Sequence, residues 1–580
     1  MVAGTGLAGQ TAPASRPGAA APPGASISGA NARRGLTGRG DAAHIADMAD
    51  ATPQSETPQS ETSQSGTSGL EAGAQAAGRS GGGAWSAAGL RADRPGEGPL
   101  AGYPVEAAFD EMFARDGRAR ASYTALYDAL AASTPDELNE RQRSIEQSFL
   151  YQGITFTVYG QAQATERIIP TDVIPRIVPA SEWLVLESGL KQRLDALNLF
   201  LDDLYNDQQI LKDGVVPRDL VLACPNFRRE MLGVRAAKGA YVNVCGTDLI
   251  RGQDGAYAVL EDNLRVPSGV SYMLANREAV KRAFPTLFRQ ARIRPVEQYP
   301  DALLGMLKGL ASDYQPDPVV VVLTPGVFNA AYFEHAYLAR LMGAPLVEGR
   351  DLVAHNNIIY MRTTSGLQRV DVIYRRIDDD FIDPVTFRRD SILGVPGLMN
   401  AYRAGNVVIA NAPGCGVADD KAVYAYTPHI IRYYLGEDAI LPIVETYLCR
   451  EHNQLSHVLA NLDTLVVKAV GESGGYGMLI GPHASAAERA AFGERVKADP
   501  SNYIAQPTIQ LSTAPCLIDG RIEPRHVDLR PYIIAGDKTV VTPGALTRVA
   551  LRRGSLVVNS SQGGGSKDTW VMAGDQEALA

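Results

Sequence analysis

YVNVCGTDLIRGQDGAYAVLEDNLRVPSGVSY, residues 241–272, decides how the rest of the chain is read. An apolar run ends at Asp248, a Gly-Gln-Asp-Gly turn runs from Gly252 to Gly255, and a second apolar run reaches Leu260. Two such runs joined by a glycine-bearing polar turn predict a β-hairpin. Glu261 and Asn263 are two residues apart, so on a strand they project from one face, and Asp248 on the paired strand can be brought opposite them. Three hard oxygen donors without His or Cys suit Mg²⁺, which is held by a few carboxylates together with substrate phosphates. A solvated hairpin with acidic tips is the alternative this stretch leaves open.

A second stretch carries the complementary charge. LVVKAVGESGGYGMLIG, residues 465–481, predicts a strand bearing Lys468, a loop with Gly471, Gly474, Gly475 and Gly477, and a return strand. Phosphates need positive charge and closely approaching backbone amides, and glycine permits that approach. The lysine precedes the glycines and no Gly-Lys-Ser/Thr follows, so this is not a Walker loop. Taken alone, the glycines are equally consistent with a structural turn.

These motifs resemble the ATP-grasp superfamily. Glu261-Asp262-Asn263 followed by Arg265, Pro267, Ser268, Gly269 and Ser271 is similar to the Glu-x-Asn and Pro-Gly turn that closes an ATP-grasp ligase. An aspartate stands thirteen residues before that Glu in D-alanine–D-alanine ligases, as Asp248 does here. More than three hundred residues follow the motif in this chain, so the resemblance implies a circular permutation. Lys421 in IANAPGCGVADDKAVYAYTP is similar to the first ATP-binding lysine, and Gln506 in SNYIAQPTIQ stands where many relatives have Glu beside adenine. Arg530 in HVDLRPYI and Arg548 in GALTRVA present donor forks suited to phosphoryl oxygens. Each is equally consistent with an ion pair.

Residues from about 105 to 573 look like the circularly permuted type 2 ATP-grasp proteins, with QGITFTVYG, ERIIPTDVIPRIVP, GTDLIRG and SSQGGGSKDTW adding to the match. The resemblance implies an α/β and α+β fold with a Rossmann-like pre-ATP-grasp βαβ unit. Its implied organisation is a disordered tail over 1–98, a permuted C-terminal part with the metal hairpin over 99–300, the βαβ unit over 301–413, and a lysine and glycine-lid part over 414–580. It implies ATP and Mg²⁺ as cofactors and an ADP-forming carboxylate–amine ligase acting through an acyl phosphate. Asp248, Glu261 and Asn263 would hold metal, Lys421 and Lys468 phosphate oxygens, and Arg265 to Ser271 the turn beside the substrate. Carboxylate and amine substrates follow as partners. Association with α-helical E-type or transglutaminase-like proteins is the further partner the family suggests. A nucleotide-binding regulator without turnover and a phosphotransferase are the rival functions.

Composition narrows the classes independently. With 580 residues the chain has room for two or three domains, and an apolar fraction of 45% is ordinary for globular proteins. A net charge of −9 argues against a general nucleic-acid binder. Five cysteines without a C-x-x-C pair suggest reduced thiols and a cytoplasmic protein. No apolar run approaches the roughly 20 residues of a membrane span. Residues 1–98 are rich in Ala, Gly, Ser, Thr, Pro and Gln, a composition expected to stay disordered. His452 and His457, the closest histidine pair in the sequence, would diverge by about 140° around a helix. That spacing speaks against a zinc hydrolase.

Further along, helical spacing is expected over Tyr103–Leu150, Ser188–Leu211 and Ala275–Phe284, the last closed by Pro285. The run VVVLTPG from residue 320, a helix over Asn329–Met342 and a strand near Pro345 predict a parallel βαβ unit. If the chain is permuted as the resemblance implies, the segment around Tyr241 must pair with strands near Val527–Ile534 or Leu546–Val558.

Overall fold

Strand Val244–Arg251 pairs antiparallel with Tyr257–Asn263 in the computed structural model, setting Asp248 opposite Glu261 and Gly246 opposite Asn263. The register then shifts by one, so that Leu249 faces Val259. The structure describes residues 98–158, 165–311, 313, 315–471, 477–559 and 563–574. The polar tail up to residue 97 and the glycines Gly474 and Gly475 lie outside the described residues.

The hairpin is one side of a six-stranded sheet. Its order is Thr171–Val178, Gly565–Val571, Thr539–Val549, Arg530–Ala535, Val244–Arg251 and Tyr257–Asn263. Tyr532 faces Gly246 and Ile534 faces Val244, which is the pairing a permuted chain requires. Only the contact between Gly565–Val571 and Thr171–Val178 is parallel. Pro175 is tolerated because its strand is an edge, where a missing ladder donor costs least.

Two helices begin earlier than their apolar spacing predicts, each because of the residue in front. Ala180–Tyr205 starts directly after Pro179, whose fixed φ suits a helix entrance, and buries Trp183, Leu186, Leu190, Leu194, Leu197 and Leu201. It stops at Tyr205 because the Asp203 carboxylate instead accepts from the Gln209 and Ile210 amides, opening a separate turn at Gln209–Lys212. Val270–Ala283 starts after Gly269, and Pro285 opens the next helix, Pro285–Gln290, rather than only closing this one. The expected helical run from Tyr103 is confined to Thr124–Ala131 and Pro135–Gln152. Before them, Asp110 accepts from the Met112 and Phe113 amides and holds the chain in a turn. Thr134 and Glu137 close a capping box at the second helix.

A parallel sheet runs in the order Val408–Ala410, Val372–Arg375, Val320–Leu323, Leu346–Val347, with helix Tyr332–Met342 crossing between the last two. Ile358–Thr363 belongs instead to a small antiparallel sheet with Leu352–His355 and Gly366–Arg369. Asn411, just past the parallel sheet, ties it to the hairpin. Its Oδ1 accepts from the Asn243 and Val244 amides at 2.8 Å each, and its Nδ2 donates to the Val244 carbonyl at 2.7 Å. A fourth sheet, antiparallel, orders Tyr447–Leu448, Tyr503–Pro507, Leu465–Ala469 and Met478–Ile480. Mixed α/β and α+β architecture is thus present as expected. All five cysteines are buried and unpaired, and no helix among the described residues is long and apolar enough to cross a membrane.

Candidate active site

The hairpin and the lysine strand, more than two hundred residues apart in sequence, face one cavity. Asp248, Glu261, Lys421, Lys468, Gln506 and Arg548 line a space of about 160 Å³ whose other walls are mostly apolar, among them Ile250, Leu260, Val466, Met478 and Ile509. A second space of about 380 Å³ adjoins it, walled by Asn263, Arg265, Pro267, Ser268, Asp419 and Arg530. Glu261, Lys421, Arg548 and Asn559 line both. An apolar slot and a polar chamber therefore meet at a charged partition.

The partition is built on opposed carboxylates. Strand alternation turns Asp262 to the other face, where Arg193 holds it at 2.8–3.0 Å, and leaves Glu261 and Asn263 toward the cavities. Burial works against ionising Asp248, but Arg530 and Arg548 hold its carboxyl well below the usual range. Burial pushes the Glu261 carboxyl up and Asp248 pushes it further, against Lys468, Lys421 and Arg530. These two acids stand among the cations Lys421, Lys468, Arg530 and Arg548. Asn263 donates Nδ2 to the Gly246 carbonyl at 3.1 Å, which turns its Oδ1 the opposite way. This oxygen set fits a hard divalent cation, with Glu261 and Asn263 as its accessible members. Asp248 is fully buried and already bound by two arginines, so its expected place as an equal third donor is shared with them. No cluster of three or more His, Cys, Asp or Glu side chains suited to a metal occurs among the described residues.

Neither arginine offers the open fork that the sequence suggests. Arg530 binds Asp248 through Nε and Nη2 and reaches the Ser268 carbonyl through Nη1 at 3.3 Å. Arg548 grips Asp528 through Nε at 2.9 Å, Asp248 through Nη2 at 2.7 Å and the Asn559 amide oxygen through Nη1 at 3.0 Å. Strand pairing brings these groups together from positions 282 and 300 residues away from Asp248.

Lys468 is half-buried, and desolvation lowers its ammonium below the usual lysine range. Its Nζ donates to Gln506 Oε1 at 2.8 Å, Gln506 Nε2 donates to Thr446 Oγ1 at 3.0 Å, and Thr446 Oγ1 donates to the Val444 carbonyl at 2.9 Å. Gln506 lines the slot, as expected of a nucleobase neighbour, but its amide oxygen is committed to the lysine. Lys421 opens the short helix Lys421–Tyr424, whose cap Asp420 accepts from the Ala422 and Val423 amides. Gly471 reaches the chamber wall, and Gly477 adopts a left-handed φ of 64°.

The chain matches the family described as circularly permuted ATP-grasp type 2 over residues 175–550. It belongs to that family. A protein of Synechocystis sp. is 54% identical over 470 residues, covering 81% of this chain and 98% of the relative. A Frankia alni protein named "Putative glutamate--cysteine ligase 2-3" is 44% identical over 80% of this chain, which matches 54% of that longer protein. Among solved structures, a glutathione synthetase-like effector of Globodera pallida in apo form aligns with a TM-score of 0.51 at 12% identity. It covers 76% of this chain and 98% of its own, a likeness of fold.

In this permuted ATP-grasp chain the Pro-Gly turn is braced from the parallel unit. Arg376 donates to the Pro267 carbonyl and to Ser268 Oγ, each at 2.7 Å, and pairs with Glu334. Glu334 Oε2 accepts from the Gly269 amide at 2.7 Å and from the Ser271 hydroxyl at 2.8 Å. Pro267, Ser268 and Gly269 line the chamber, whereas Ser271 is fully buried behind them on Glu334. Gly269 has φ 117°, and a Cβ there would lie 2.3 Å from Tyr532 Oη. Gly269→Ala is expected to lower stability by about 1–3 kcal/mol through backbone strain, read as the shift of a urea unfolding midpoint.

The residues that sequence reasoning missed are Asp528, Asn559, Asp419, Thr446, Glu334 and Arg376. Asp528 stands two residues before Arg530, just ahead of the strand Arg530–Ala535. Glu334 and Arg376 act across 65 and 109 residues and had no local signal.

Proposed function

We propose that the protein is an ATP- and Mg²⁺-dependent carboxylate–amine ligase that passes through an acyl phosphate. The observation that carries this is the partition of Glu261, Lys421 and Arg548 between an apolar slot and a polar chamber. The slot takes the nucleobase, and its lysines meet the phosphate chain. Glu261 and Asn263, with Asp248 behind them, would hold Mg²⁺, which when bound would neutralise charge on the transferring phosphoryl group. The substrate carboxylate enters from the chamber. Its oxygen bonds to the γ-phosphorus as the bond to ADP breaks, and an amine nitrogen then bonds to the acyl carbon as inorganic phosphate leaves with the electron pair. The chain supplies no nucleophile. It orients two substrates, and the apolar walls limit water at an intermediate that water would destroy.

Gln506 is a neutral acceptor for Lys468 and leaves the full ammonium charge for phosphate. Lys468→Ala is expected to weaken ATP binding by about 10- to 150-fold, the loss of one charge-assisted contact of about 1.5–3 kcal/mol, measured calorimetrically.

The decisive experiment follows ADP and AMP during turnover with free amino acids and amines, with glutamate and cysteine as the first pair because of the name of the Frankia alni relative. ADP formed with a coupled amide supports the reading. AMP would point to adenylation and overturn it, and ATP binding without turnover would leave only a nucleotide-binding protein.

A further inference from the structure

Among the described residues, the polar chamber contains one arginine whose fork is open. Arg530 and Arg548 are committed to Asp248, Asp528, the Ser268 carbonyl and Asn559. Arg265 commits only Nε, to Asp419 Oδ2 at 3.2 Å. Its Nη1 lies 3.8 Å from Asp378 Oδ1, beyond hydrogen-bond reach, and among the described residues Nη2 has no acceptor. The side chain is 28% exposed on the chamber wall, so this outer edge is presented to whatever enters.

The carboxylate beside it is equally one-sided. Asp419 Oδ2 accepts from the Leu264 amide at 3.2 Å, the Arg265 amide at 3.3 Å and Arg265 Nε. Oδ1 accepts from none of the described residues, and the Asp419 side chain is 15% exposed on the same wall. A guanidinium edge and a carboxylate oxygen, fixed side by side by backbone amides, complement a group carrying a carboxylate and an ammonium on one carbon. The pair is also built with close clearance. Gly416 lies under the arginine stem, and a Cβ there would come within 2.7 Å of Arg265 Cδ and 3.0 Å of Asn226 Cβ.

We propose that Arg265 and Asp419 bind the α-carboxylate and α-ammonium of a free amino acid. This rests on the ligase reading and makes it more specific. An ammonium held on Asp419 is protonated and cannot be the attacking amine. An α-carboxylate held on Arg265 is not the one phosphorylated at the partition. The donor is therefore an acidic amino acid, and its side-chain carboxylate reaches Glu261, Lys421 and Arg548. The amide formed is a side-chain amide. The side-chain oxygen attacks the γ-phosphorus and ADP leaves. The amine nitrogen then takes the acyl carbon, phosphate departs, and the surplus amine proton goes to solvent.

Hydroxylamine can replace the unidentified amine, since it captures an acyl phosphate as a hydroxamate with release of phosphate. ATP binding is measured first, by calorimetry with Mg²⁺. L-Glutamate and L-aspartate are then compared with their α-amides and N-acetyl derivatives by ATP-dependent hydroxamate formation. At least one free acid is expected to react, and its two blocked forms to show KM raised more than about tenfold, because each loses one ionic partner. Arg265→Met is expected to raise KM for the free acid by about 10- to 100-fold and to abolish its preference over the α-amide, with KM for ATP unchanged. Gly416→Ala keeps both charges but displaces the arginine stem, so it should raise KM in the same direction. Unfolding midpoints confirm that each variant is folded. Failure of wild-type protein to bind ATP overturns the ligase reading together with this inference. With ATP bound, absence of hydroxamate from both free acids, equal use of the α-amides, or an unaltered preference in folded Arg265→Met overturns this inference alone.

Discussion

Glu261→Gln is expected to lower ligase turnover on the order of a thousandfold while nucleotide affinity changes far less. Glu261 stands on the partition shared by slot and chamber, opposite Asp248, where burial and that neighbour both push its carboxyl up. Lys468, Lys421 and Arg530 oppose that rise and favour the charged form. Glutamine keeps the shape and the strand register but removes the charge. Charge stabilisation of this kind supplies several kcal/mol at the transition state, and each 1.36 kcal/mol is a factor of ten. On the proposed reading, the base keeps its apolar slot and the phosphates keep two lysines. Steady-state ADP release beside calorimetric ATP binding separates the two effects. Undiminished turnover in the variant would remove Glu261 from the reaction.

Arg548→Met is expected to destabilise the fold by about 3–5 kcal/mol, because it leaves buried carboxylates uncompensated. Arg548 is 8% exposed and joins Asp248 and Asp528, both essentially inaccessible. Burial raises the Asp528 carboxyl, and Arg548 is the first group opposing that rise. Arg432 and Asp438 form a useful contrast, since both are mostly exposed and their pairing should contribute no more than about 1 kcal/mol. Urea unfolding of Arg548→Met beside Arg432→Met compares the two environments in one chain. Equal midpoints would mean that the arginine–aspartate cluster carries no structural load.

The cluster also marks the boundary of what the residues disclose before folding. Strand alternation sets Glu261 and Asn263 on one face, and the two-residue rule needs nothing beyond the segment itself. The pairing of the hairpin with Arg530–Ala535 was legible once its motif order implied a permutation. Occupancy of the arginine forks was not, because each acid reaches them through the sheet from a distant strand. Helix beginnings were misplaced where a proline or a distant carboxylate sets the entrance, as at Pro179 and Gly269. Ser271 belongs to the recognised turn, yet Glu334 draws its hydroxyl behind the chamber wall. Lys421 and Lys468 reach the shared cavity as their motifs suggest, whereas the open fork of Arg265 becomes apparent only beside Asp419.

The parallel seam between Thr171–Val178 and Gly565–Val571 imposes a timetable on synthesis. Ser566 is aligned with Thr171 across 395 residues of chain. At 5–20 residues per second, the first strand waits roughly 20–80 s for its neighbour to emerge. The hairpin likewise waits for Arg530–Ala535, which brings Arg530 to Asp248. Nascent chains therefore expose two unpaired strand edges, a hazard for aggregation that chaperones counter. The charged partition is completed among the last events of folding, so chains released before Arg548 carry no assembled site.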